Sequence, residues 1–223
     1  GVSLAPFDSL NLANHVGNAT EQVAENRARL RQALDLPAEP VWLKQVHGSR
    51  IVDAVGPNSF GQYAEADGAY TRETGVVCAV LTADCLPLLL CDQSGTHIAA
   101  VHVGWRGLAA GVIEAALHHF DDTRHVLAWL GPAIGPQSFE VGDEVRELFI
   151  AHDAEAQHAF RPSPAQRWLA DIYQLARQRL HAQGVTRIYG GECCTYSDPE
   201  RFYSYRRDGV TGRMATLIWL KNG

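Results

Sequence analysis

The chain has 223 residues, 46% of them hydrophobic and 20% charged, with a formal net charge of -6. That size and balance describe an ordinary globule with a sizeable core, read here as a single domain over residues 1–223. They give no sign of a basic surface for nucleic acid or an anionic membrane. No apolar run approaches the ~20 residues that span a bilayer, and the opening does not read as a secretory signal. Five cysteines, Cys78, Cys85, Cys91, Cys193 and Cys194, make an odd set with an adjacent pair. That is not a disulfide framework, so a reducing cytoplasm is the expected setting. Nothing in the sequence indicates a protein partner.

Residues 1–20 are polar and turn-rich. Residues 21–34 read as a helix with Val23, Ala24, Leu30 and Leu34 near helical spacing and Thr20 as N-cap. Residues 41–47 alternate like a strand, Gly48-Ser49 turns, and residues 51–55 are expected as the return strand of a hairpin. Residues 56–62 read as loop, and residues 66–70 as a turn entering a strand. Continuous apolar runs at 75–81, 86–90 and 97–103 suit strands buried on both faces. A Gly-rich turn then opens a helix over 108–120, followed by a strand at 126–130 and a proline-rich loop at 131–136. A helix is expected over 142–150, its first turn acidic, and a long amphipathic one over 165–183, closed by Gly184. Strands are expected at 185–189, 201–206 and 214–220. Short strands with interspersed helices define a mixed α/β class.

Three residues stand out near the ends of predicted strands: His47, Cys85 and His102. Two imidazoles and a thiolate are a sufficient protein ligand set for zinc, with a fourth position left open. The same Cys85 and His102 could instead be a nucleophile and its base, with Asp84 or Gln45 orienting the imidazole, as in a cysteine amidase or deamidase. The discriminator is His47, which a metal site requires within reach of the thiol and a dyad does not. The segment Val103-Gly104-Trp105-Arg106-Gly107 runs from strand to Gly-rich turn to helix. It reads as a tight connection or as an anion site with Arg106 adding charge.

Several segments carry a resemblance: Lys44-Gln45-Val46-His47-Gly48, Ala66-Asp67-Gly68, Thr82-Ala83-Asp84-Cys85-Leu86-Pro87, His102-Val103-Gly104-Trp105-Arg106-Gly107 and Gly131-Pro132-Ala133-Ile134-Gly135-Pro136. With the ending from Cys194-Thr195-Tyr196-Ser197 to Tyr205-Arg206-Arg207-Asp208-Gly209, they resemble, in order and along the whole chain, the bacterial YfiH-like, or laccase-domain, family. The resemblance implies a four-layer α/β/β/α mixed-sheet sandwich related to the catalytic domain of a Cys/His toxin deamidase. It also implies an initial strand ahead of Gly1, and a metal held by His47, Cys85 and His102.

The family name implies copper and phenol oxidation. A multicopper oxidase needs roughly ten histidine ligands, typically in His-x-His pairs, and a blue-copper site needs an axial methionine. Here there are ten histidines in all, no His-x-His, and a single methionine, Met214, in an apolar terminal run. Copper can still load a two-His, one-Cys site. The resemblance further implies zinc-dependent purine nucleoside chemistry: phosphorolysis of adenosine, inosine, guanosine or methylthioadenosine, and adenosine deamination. Zinc suits attack on C6 of adenine. Arg106 and the Gly-rich turn are then expected to take phosphate, Asn11, Gln45 and Asp84 to orient ligands or substrate hydroxyls, and Glu140 or Asp67 to exchange protons.

Overall fold

The computed structural model describes residues 1–56, 63–164 and 166–221. The loop expected over 56–62 lies outside them, save Gly56. In chain order the regular elements are α1 (Thr20–Leu34), β1 (Ile51–Asp53), β2 (Gly68–Thr71), β3 (Val77–Thr82), β4 (Leu86–Asp92), β5 (Ile98–Val103), α2 (Trp105–Ala109) and α3 (Val112–Leu117). They continue with β6 (Val126–Leu130), β7 (Glu140–Val141), α4 (Asp143–His152), β8 (Phe160–Pro162), β9 (Trp168–Ala170), α5 (Ile172–Ala182), β10 (Arg187–Gly190), α6 (Tyr205–Asp208) and β11 (Met214–Trp219). None of these helices is long and apolar enough to cross a membrane.

A six-stranded sheet runs β1-β2-β5-β4-β6-β10, parallel at its two outer pairs and antiparallel between. A second sheet pairs β3 with β11 antiparallel, and a small third one runs β7-β9-β8. The alternation of side chains along each strand sorts the core. Leu86, Leu88 and Leu90 of β4 face Leu108, Ile113, Leu117, Leu175 and Leu180 from the helices. Leu89, Ala100 and Ala69 face the other way, against Val41, Cys78 and Val80. The opposite face of β3, Ala79 and Leu81, packs with Leu12, Trp42 and Leu30 of α1. The apolar runs chosen as doubly buried strands are therefore strands, and β3 and β5 are buried along their whole length.

Six local expectations are corrected. Residues 41–47 form no continuous strand: only Val41 and Lys44 bridge, to Cys78 and Glu65. The N–H groups of Val46, His47 and Gly48 donate to the Asp67 carboxylate, and His47 has φ 61, so the chain turns away from ladder geometry. β1 pairs in parallel with β2, so there is no hairpin. The helix expected over 108–120 breaks at Gly111, whose φ of 87 only glycine adopts cheaply. The helix expected over 165–183 starts at Ile172, because Asp171 caps Gln174 N–H and Trp168–Ala170 joins a sheet. Residues 201–206 are not a strand, since Ser204 caps the short helix α6 instead. Thr20 is not a cap but the first helical residue.

Register is what gathers the site. β4 and β5 pair Leu86 with Val103 and Pro87 with His102, while β2 and β5 pair Gly68 with Val101. Cys85 precedes Leu86 and Asp67 precedes Gly68, so Asp67, Cys85 and His102 meet at one end of the large sheet.

Candidate metal centre

The ligand atoms of His47, Cys85 and His102 all lie within 4.8 Å of one another. Cys85 Sγ is 3.7 Å from His47 Nε2, and the two imidazole rings stand edge to face at 4.8 Å between centroids. His102 is buried, Cys85 half-buried and His47 exposed, so the cluster has a solvent side. His102 Nδ1 bonds Asp67 Oδ1 at 2.8 Å, which leaves Nε2 for the shared space. Asp67 is fully buried and accepts three backbone N–H bonds from Val46, His47 and Gly48. One carboxylate thus orients the His102 ring and fixes the backbone that carries His47, the carboxylate–histidine–metal arrangement of many zinc sites.

Gly104 completes the cradle. A Cβ there would lie 2.7 Å from His47 Cδ2, 3.3 Å from Cys85 Sγ and 3.6 Å from His102 Cε1. The donor chemistry, the carboxylate behind the histidine and this side-chain-free floor fit a zinc-type ion with an open position.

The charges are tuned to one another. Burial opposes the Cys85 thiolate, but the His102 charge and hydrogen bonds from both histidines overturn it and bring the thiol down to about 6. Burial likewise opposes the His102 imidazolium, while the Cys85 thiolate and Asp67 push it up to about 9. Asp67 is held below the usual carboxylate range: burial works against it, and bonds from His102 and the Gly48 and Val46 N–H groups more than offset that.

The donors open into a cleft of about 330 Å³ that includes His47, Asp84 and Cys85 in its wall. Its apolar side is Ile134, Phe139, Val141, Val145 and Ile172; its polar rim carries Arg106, Glu140, Glu144, Arg167 and Arg206, with Trp105 and Tyr205.

The other expected site residues divide between the cleft wall and the interior. Asp84, at φ 91, accepts from Thr195 Oγ1 and Arg206 N, each at 2.6 Å. It orients the terminal segment, whereas Asp67 orients the imidazole. Gln45 brackets the Leu81 backbone with two bonds of 2.8 Å and does not line the cleft. Asn11 is completely buried, spends its amide on Ala13, Asn18 and Arg213 N, and does not line the cleft. Arg106 does line the cleft, with its guanidinium 4.4 Å from the Trp105 ring centre. The α2 helix behind it has only five residues, too little for a strong dipole. Glu140 lines the cleft and accepts from Ser163 Oγ at 2.5 Å, whereas Asp67 is sealed from it. Phe139, Arg167, Tyr205 and Arg206 escaped sequence reasoning. They come from segments distant in sequence that the fold brings to the donors, although Tyr205-Arg206 stood within a resembling motif.

Fold and site together describe a mixed α/β protein built around a His-Cys-His donor set. Residues 1–221 match the family described as multi-copper polyphenol oxidoreductase laccase. The chain belongs to this YfiH-like family. It is 56% identical over 223 residues to proteins of Shigella flexneri and Escherichia coli K12 named purine nucleoside phosphorylase YfiH, covering 99% of this chain and 90% of each relative. A Haemophilus influenzae purine nucleoside phosphorylase is 46% identical, over 99% of this chain and 91% of the relative. Among solved structures, a Neisseria meningitidis protein superposes with a TM-score of 0.94 at 44% identity, covering 100% of this chain and 90% of that one. YlmD of Geobacillus stearothermophilus gives 0.91 at 32% identity, covering 100% and 88%.

Proposed function

We propose that this chain is a single-domain, cytoplasmic, zinc-dependent purine nucleoside enzyme. It cleaves adenosine, inosine, guanosine and methylthioadenosine by phosphorolysis and deaminates adenosine. The observation that carries the reading is the convergence of His47, Cys85 and His102 within 4.8 Å at the mouth of a cleft. The names of the 46–56% identical relatives support the substrate class. The α/β/β/α layering and the kinship with a toxin deamidase belong to the same reading. Three apolar clusters, one between helices and the large sheet, one between the two sheets and one between β3 and α1, support the layering.

Zinc held by the three side chains supplies Lewis acidity and keeps the thiol deprotonated. The chain's own residues do the rest. Asp67 fixes His102 and the His47 backbone, so the donors need little reorganisation. The cleft, within the ~300–1,000 Å³ of small-molecule sites, pairs an apolar wall for a planar base with charged groups for its polar edge. Phosphorolysis breaks the N-glycosidic bond, joins ribosyl C1′ to a phosphate oxygen and returns a proton to the departing base. We assign the exchange of that proton to Glu140, one of the two glutamates on the cleft rim.

Copper-dependent phenol oxidation is the second reading, favoured by the family description. Among the described residues one His/Cys cluster gathers three donors, short of what a multicopper centre requires. The Cys-His amidase reading is disfavoured by His47, whose Nε2 lies 3.7 Å from the thiol and has no task in a simple dyad.

The test is to load the protein with zinc or with copper and supply adenosine, with and without inorganic phosphate. Adenine with ribose 1-phosphate, and inosine with ammonia, are expected from the zinc form and are lost in Cys85→Ala. Failure to form any of these products, with phenol oxidation by the copper form alone, overturns the proposal.

A further inference from the structure

Phosphorolysis needs a seat for a tetrahedral oxyanion. Arg106 was expected to provide it, but it sits on a five-residue helix beside the Trp105 ring. A different arginine is built for the task. Arg213 is half-buried, and among the described residues no carboxylate lies within ion-pair distance of it. Taking a guanidinium from water without a counter-charge is costly, so such a group is expected to meet an anion.

The side chain is held from one side only. Nη1 donates to the carbonyls of Thr211 at 2.9 Å and Gly212 at 3.0 Å, and no hydrogen bond from Nε or Nη2 is made to the described residues. The guanidinium carbon is 5.8 Å from the centre of the Tyr205 ring, and Tyr205 lines the cleft beside the donors. The backbone of Arg213 is pinned at both ends: its N–H donates to Asn11 Oδ1 at 2.9 Å and its carbonyl accepts from Leu12 N. This gives Asn11 a purpose, as a positioning residue that acts through Arg213. The surroundings are electrostatically consistent. β11 pairs Met214 with Thr82, so Arg213 lies at the strand end beside the turn that carries Asp84 and Cys85; burial lowers its pKa, and the charges of Cys85 and Asp84 partly restore it. Burial, then the charges of Arg213 and Arg27, hold His15 below its ordinary value.

We propose that Arg213, presented by the buried Asn11 and the Thr211–Gly212 carbonyls, binds a tetrahedral oxyanion through its free Nε/Nη2 edge next to Cys85. Within the reading above, on which this assignment rests, the oxyanion is inorganic phosphate, the co-substrate. A phosphate carried on a nucleotide shares that chemistry, and competition separates the two sources.

The experiment measures steady-state kinetics of the zinc-loaded protein with nucleoside and phosphate varied independently, for wild type, Arg213→Gln and Arg213→Lys. Arg213→Gln is expected to raise the KM for phosphate by about tenfold or more while the nucleoside KM stays within about twofold, and Arg213→Lys recovers part of the loss. Nucleoside 5′-monophosphates are expected to compete weakly against phosphate; strong competition assigns the seat to a nucleotide and overturns the co-substrate role. A phosphate KM within about twofold of wild type in Arg213→Gln overturns the assignment, and Arg213→Lys decides the case if the glutamine variant does not fold. Should the wild type show no phosphate-dependent cleavage, the phosphorylase reading fails by itself. Calorimetric titration of inorganic phosphate then judges Arg213 directly: binding lost in the variants supports the seat, and no difference from wild type removes it.

Discussion

Asp67 Oδ1 bonds the His102 ring at 2.8 Å and accepts from the His47 backbone N–H at the same distance. A single buried oxygen therefore governs two of the three donors. Replacing Asp67 by Asn keeps the size but removes the charge, and turns one end of the group into a donor. The expected outcome is a fall in zinc affinity of about 10–100-fold, measured by competition with a chromophoric chelator. Unchanged affinity would show that the carboxylate serves the fold alone.

The Cys85–His102 pair gives the zinc-free protein a pH signature. The Cys85 thiol is lowered from 9.0 to about 6 in the fold, so its contribution is complete above 9.0 and is lost as pH falls through about 6. His102 is raised from 6.5 to about 9, so its contribution is complete below 6.5 and is lost as pH rises through about 9. Thiolate and imidazolium coexist between those limits, and the energy belongs to the pair, counted once. Thermal midpoints of the zinc-free protein are expected to peak in that window, with a flatter profile for Cys85→Ser. A maximum outside the window in the wild type contradicts the pairing.

Metal uptake reads out the same pair. In the window the thiol has already lost its proton and His102 has not, so ion binding displaces the Nε2 proton. About one proton per zinc is expected, from calorimetry in buffers of different ionisation enthalpy. Release of two protons would mean that the free protein holds a neutral thiol.

The apolar runs at 75–81, 86–90 and 97–103 were legible as strands because both of their faces are filled, and composition alone reports that. His47, Cys85 and His102 were legible as donor types at strand ends. Asp67 was visible only as a possible acid or base. Its role depends on the register that sets Gly68 opposite Val101, a long-range fact no local window contains. Residues 41–47 misled for a related reason: they alternate correctly, but a side chain from Asp67 takes the N–H groups a neighbouring strand would have used. Asn11 and Gln45 were read as ligand-facing because polar side chains near motifs invite that reading, whereas Gln45 is spent on the Leu81 backbone and Asn11 on backbone and the Asn18 side chain.

Gly104 tests the cradle directly. Its φ of -72 suits any residue, so alanine carries no backbone penalty. The added Cβ would stand 2.7 Å from His47 Cδ2 and must push the ring away from the thiol. Gly104→Ala is expected to lose bound zinc and activity while keeping its far-ultraviolet circular dichroism. Full zinc occupancy measured by atomic emission would show that His47 is not held against this floor.

The Thr195–Asp84 contact joins the terminal segment to the loop that carries Cys85. Thr195 is fully buried, and its hydroxyl donates at 2.6 Å to a carboxylate that also accepts from Arg206 N. Asp84 holds φ 91, a backbone state costly for a residue with a Cβ, and these two bonds are what offset it. Thr195→Val preserves shape and removes the donor, leaving one Asp84 oxygen without its partner. The expected loss is about 1–3 kcal/mol in urea unfolding, with the slope unchanged. Because Arg206 and Tyr205 line the cleft, kcat/KM is expected to fall as well, through displaced side chains rather than altered donors, so zinc content should stay at the wild-type level. A loss below about 0.5 kcal/mol would place the burden of holding Asp84 on Arg206 N alone.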